Sequence, residues 1–125
     1  MQLKVQRAAL HAVFELICEN EANQRTVVTH SEFISTIFKL MQTSVDREAM
    51  QWLVFIIHQL TTSANSSQHL LTEDLLPPFA KAANFCQGDL VLTRYCLESI
   101  VTHFVTNDTG PDQISVPLKV AKLQL

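Results

Sequence analysis

One apolar pattern returns along the chain at a fixed interval. Ala9-x-x-Ala12-Val13-x-x-Leu16 recurs in degenerate form at Leu53–Leu60 and again at Leu97–Phe104, each copy starting 44 residues after the last. Apolar residues spaced three and four apart mark one face of a helix. A helical pattern that returns every forty-odd residues is the signature of helical units stacked in an array, because each unit can bury its apolar face only against its neighbour. The interval therefore favours an all-α fold.

The segments between the copies read as helices with their own punctuation. Gln2–Cys18 carries Leu3, Ala9, Ala12, Val13, Leu16 and Ile17 on one stripe, and Glu19–Asn23 reads as a polar break. A short helix is expected over about 24–30, and a second from Ser31, with Glu32 at its positive end. Ser44, with Asp46 and Glu48 following, is expected to open a long helix ending near Leu60. That helix is apolar nearly all round at Trp52–Ile57, which predicts a central position. Thr61–Gln68 reads as a linker and His69–Leu71 as a short turn. Thr72, Glu73 and Asp74 are expected to start a helix whose first turn tolerates Pro77-Pro78. Gly88-Asp89 is expected to separate it from a third long helix to about Val105. Val116–Leu123 could begin a further one.

These residues resemble the armadillo-repeat family, whose unit is a short helix, a second helix and a long third helix. The family's third-helix pattern appears as Ala9–Leu16, Leu53–Leu60 and Leu97–Phe104, its second-helix run as Ile34–Met41 and Leu76–Ala83, and its short first helix as Asn23–Val28. The glycine expected before each second helix is absent, so HEAT-like repeats remain open. The resemblance implies a right-handed, armadillo-like α-solenoid of about two and a half to three units over residues 1–110, with 111–125 as a tail. The chain opens on a third helix with apolar character spread over Leu3, Val5, Leu10 and Phe14, which suggests a piece of a longer array.

In that family the third helices line a groove, and side chains four apart project into it. Carried onto this sequence, the groove pairs are His11/Glu15, Phe55/Gln59 and Ser99/His103, with Arg7, Gln51 and Tyr95 one turn earlier on the same face. A side-chain amide suits such a groove because it bonds both the donor and the acceptor of an extended backbone, and Gln59 retains one. The tryptophans that sandwich lysine stems are missing, which argues against nuclear-signal recognition. Trp52, one position before the apolar run, is expected to pack between units. The resemblance thus implies a protein-binding scaffold. Its alternative is a structural module that stacks or self-associates through the apolar ends, Leu3/Leu10/Phe14 or Val116–Leu125.

Composition narrows the function classes. Nine basic and twelve acidic residues give a net charge of −3 with no run of one sign, which leaves nucleic-acid binding without an electrostatic footprint. No apolar stretch approaches the ~20 residues of a membrane span. The amino end is charged and amphipathic rather than leader-like. Cys18, Cys86 and Cys96 lack metal or redox spacing and read as reduced thiols of a cytoplasmic protein, with a nuclear one left open. Five scattered histidines offer no zinc cluster, so no metal or cofactor is expected. Catalysis is not expected either: the acidic pairs sit at helix starts, and the two glycines, Gly88 and Gly110, cannot form a phosphate-cradling loop.

Overall fold

The computed structural model describes residues 2–63 and 76–107, with side chains described as far as Thr102. It is all-helical: α1 Leu3–Ile17, α2 Glu21–Val28, α3 Ser31–Thr43, α4 Arg47–Thr62, α5 Leu76–Phe85 and α6 Leu90–Asn107. Among the described residues no helix is long and apolar enough to cross a membrane. The expected start at Thr72, the turn at His69–Leu71 and the Val116–Leu125 piece lie outside the described residues.

Local hydrogen bonds set where the helices begin. The polar break is itself a cap: Asn20 Oδ1 accepts from the Asn23 N–H at 3.0 Å, so α2 starts at Glu21, earlier than the periodicity predicts. Helix α4 is capped by Asp46, which accepts from the Ala49 N–H at 2.8 Å, while Ser44 Oγ accepts from the Asp46 N–H. Asp89 caps α6 in the same way through the Leu92 N–H. Thr61 and Thr62, expected in a linker, instead prolong α4, their hydroxyls donating to the Ile57 and His58 carbonyls. Pro77 and Pro78 fall in the first turn of α5, where the missing N–H groups have no helical acceptor to lose. Gly88, at φ +96°, turns the chain from α5 into α6, a backbone region that suits glycine.

Helix α4 lies between α1 and α6 and packs on both, and α3 packs on α5. Helix α2 sits against α1, α3 and α4. The central position of α4 shows in its burial: Ala49, Met50, Leu53, Val54, Ile56, Ile57 and Leu60 are all inaccessible. Met41 of α3, Phe79 of α5 and Ile100 of α6 complete one core with Ile17 of α1. Cys86 and Cys96 are buried free thiols and Cys18 is half-buried.

Two ties repeat between successive long helices. Arg7 of α1 donates through Nε to Asp46 Oδ2 at 2.9 Å, and Arg47 of α4 donates through Nη2 to Asp89 Oδ2 at 3.2 Å. Each capping aspartate therefore serves its own helix and anchors the long helix before it. On the other side, Lys81 Nζ of α5 donates to the Ser44 carbonyl at 2.9 Å, which pins α5 to the turn between α3 and α4.

Candidate functional site

The face shared by α1, α4 and α6 carries a continuous row of rings. His11 stacks on Trp52 with centroids 4.1 Å apart and planes at 10°. Phe14 meets Trp52 at 5.6 Å and Phe55 at 5.7 Å, and Phe55 meets Tyr95 edge-on at 5.2 Å. His58 closes the row against Tyr95 at 4.5 Å. Edge-on and tilted pairs of this kind set the positive ring edge against the negative face. The row spans three helices, and its members are half-buried except for the exposed His11.

A recess of about 150 Å³ opens in the middle of the row, lined by Phe14, Phe55, His58, Gln59 and Tyr95. Phe14, Phe55 and Tyr95 give it aromatic surface, and His58 and Gln59 give it polar groups. His58 Nε2 donates to Glu98 Oε2 at 2.9 Å, and Arg94 Nε donates to the other carboxylate oxygen at 2.9 Å. The hydrogen bond from His58, then that from Arg94, holds the Glu98 carboxyl below its ordinary range. The pair ties α4 to α6 beside the recess.

Next to it lies a polar recess of about 370 Å³ between α2 and the carboxyl end of α4, lined by Glu19, Glu21, Gln24, Gln59, Thr62 and Ser63. Gln59 lines both recesses. Gln24 is only 4% exposed, and its Nε2 donates to the Ile17 carbonyl at 2.8 Å. That bond fixes the amide, since the reverse orientation would set two acceptors against each other. Among the described residues Gln24 Oε1 is buried without a hydrogen-bond partner. An acceptor in that state costs about 1–3 kcal/mol unless something donates to it.

Seven of the nine expected groove residues fall into three groups. Phe55, Gln59 and Tyr95 come together around the aromatic recess. His11 and Glu15 pair on the exposed side of α1 at 3.1 Å, with His11 carrying the end of the ring row. Arg7 and Ser99 are engaged within the fold. Arg7 holds Asp46, and Ser99 is wholly buried, its Oγ donating to the Tyr95 carbonyl at 2.9 Å. Gln51 is half-buried on α4, and the His103 side chain lies outside the described residues.

The displacement of Ser99 has a simple origin. The capping aspartates of α4 and α6, Asp46 and Asp89, stand 43 residues apart, one fewer than the repeat interval read from the apolar pattern. At 43, the buried residues of the two helices coincide: Ala49 with Leu92, Leu53 with Cys96, Ile56 with Ser99, Ile57 with Ile100. The counterpart of Phe55 is then Glu98, and Tyr95 is the counterpart of Trp52. The sequence reading missed Phe14, His58 and Glu98 as site residues and took Trp52 as packing alone. Trp52 packs between α1 and α4 as expected, and it also belongs to the ring row. The spacing of Phe14, Phe55 and Tyr95 on long helices was visible. The His58–Glu98 bond, 40 residues apart, leaves no periodic trace.

No protein-family model matches the chain, and neither a curated protein nor a solved structure matches it.

Proposed function

We propose that the chain is a non-catalytic protein-interaction module, an armadillo-like right-handed solenoid that holds a partner segment across the face of its three long helices. The observation that carries this reading is the half-buried ring row over α1, α4 and α6 with an apolar recess at its centre. Aromatic side chains with polar rims are the usual anchors of such contacts, because they give up large apolar area at little entropic cost. The neighbouring order α1–α4–α6, with α3 against α5, supports the solenoid reading. Gln59 stands at the rim, where its amide can pair with an extended backbone.

Selection of short peptides from a random library against the chain tests the proposal. Phe55→Ala and Tyr95→Ala are expected to weaken selected peptides by about tenfold or more while leaving the helical spectrum intact, the loss typical of a buried anchor. Peptides that bind both variants as well as the parent chain would remove the groove from consideration.

A second reading is favoured by the other flank of α1. Val5 and Leu16 are 52% and 62% exposed there, and a mainly apolar recess of about 210 Å³ lies at Leu16, lined also by Ile17, Val27 and Phe33. This face would stack on a preceding unit or on a second copy. Leu3 is exposed but lies on the opposite face of α1, with Leu10, which is buried, and Phe14, which serves the ring row, so none of the three adds to this flank.

A further inference from the structure

We infer that copies of this chain join head to tail, the outer flank of α6 in one copy packing on the outer flank of α1 in the next. This rests on the second reading above, names its partner, and is independent of the groove. The warrant is a packing arrangement that the chain builds twice, α1 on α4 and α4 on α6. The outer flanks of α1 and α6 carry the two halves of that same arrangement.

The helix starts set the correspondence. The N-caps Gln2 and Asp46 stand 44 residues apart, and Asp46 and Asp89 stand 43 apart. On α4 the side toward α1 is marked by Trp52, which meets His11 and Phe14. Ala49 and Ile56 lie three before and four after it on that side, with Leu60 one turn further, and all three are inaccessible. Their counterparts on α1 are Val5, Ala12 and Leu16, and all three are exposed. The side of α4 toward α6 is marked by His58, which meets Tyr95 and Glu98. Val54, one turn before His58, is inaccessible, and Arg47 at the start of α4 reaches Asp89. The counterparts of His58, Val54 and Arg47 on α6 are Val101, Leu97 and Leu90. Leu97 is half-buried, while Leu90 and Val101 are 84% and 39% exposed.

Helix α1 therefore exposes the side with which α4 receives α1, and α6 exposes the side with which α4 meets α6. Helix α4 lies between them, so the two flanks of one copy cannot meet each other. A second copy brings the complementary half, and the contact removes leucine and valine side chains of both flanks from water. Such a contact joins unlike surfaces, so each added copy leaves one flank of each kind open and growth continues past the dimer.

Sedimentation equilibrium of the full chain tests this. The weight-average mass is expected to rise with concentration beyond that of a dimer. Leu16→Lys blocks the α1 flank and Val101→Lys the α6 flank, because either lysine would be buried without a partner. Each variant alone is expected to associate roughly tenfold or more weakly than the parent. Their equimolar mixture should recover a one-to-one dimer that grows no further, since each variant keeps the flank that the other has lost. Peptides selected for the groove should bind both variants as they bind the parent. A dimer that forms in Val101→Lys but not in Leu16→Lys would mean that α1 packs on α1, which overturns this inference and leaves the second reading standing. A mixture that recovers nothing, or association that neither change weakens, would also overturn it. A parent chain that stays monomeric to about 1 mM would remove the inference together with self-association itself.

Discussion

Asp46 is the residue in which the most interactions meet. Its carboxylate caps α4 and accepts from Arg7 of α1, and those two contacts hold its pKa down from the ordinary 3.8 to about 2. A carboxyl whose folded pKa lies below its unfolded value stabilises the fold above the unfolded value, and that stability is lost as pH falls through the folded one. The Arg7–Asp46 tie should therefore persist to about pH 4 and fade between there and pH 2. Arg7→Ala returns Asp46 toward its ordinary value, so acid unfolding followed by circular dichroism should begin at a higher pH than in the parent chain. An unchanged acid limb would show that the pair contributes nothing. From sequence, Arg7 reads as a groove residue because its position fits the face. The structure also gives it a partner 39 residues away, a pairing invisible to a helical pattern.

Helices were legible where a stripe and a stop coincide. Helix α1 differs from its expected bounds by one residue at each end, and α6 was placed correctly against Gly88-Asp89. The register of α6 against α4 was not legible. Helix α4 is apolar on most of its circumference, so a shift of one residue still matches apolar to apolar, and the pattern cannot choose between 43 and 44. The caps can choose, because a side-chain carboxylate accepting from the third helical N–H fixes one residue as the start. Asp89→Ala should then cost α6 about 1 kcal/mol through the lost cap. Denaturant unfolding measures this, and Arg47→Ala should cost less, since its bridge to Asp89 is surface-exposed. A larger loss from Arg47→Ala would place the anchoring in the bridge and not in the cap.

At the scale of the whole molecule, two surfaces gather apolar side chains outside the core. The ring row is half-buried and rimmed by polar groups, whereas the flank of α1 exposes Val5 and Leu16 outright. The two act independently. Leu16→Lys should suppress any concentration-dependent association seen by sedimentation and leave peptide binding unchanged. Association that survives this change, along with loss of peptide binding, would merge the two surfaces into one. The central claim is that three long helices side by side present one aromatic ledge to a partner. It is tested most directly by intermolecular nuclear Overhauser effects between a library-selected peptide and the chain. The account predicts contacts from the Phe55 and Tyr95 ring protons to an apolar side chain of the peptide. Contacts confined to Leu16, Val27 and Phe33 would contradict it.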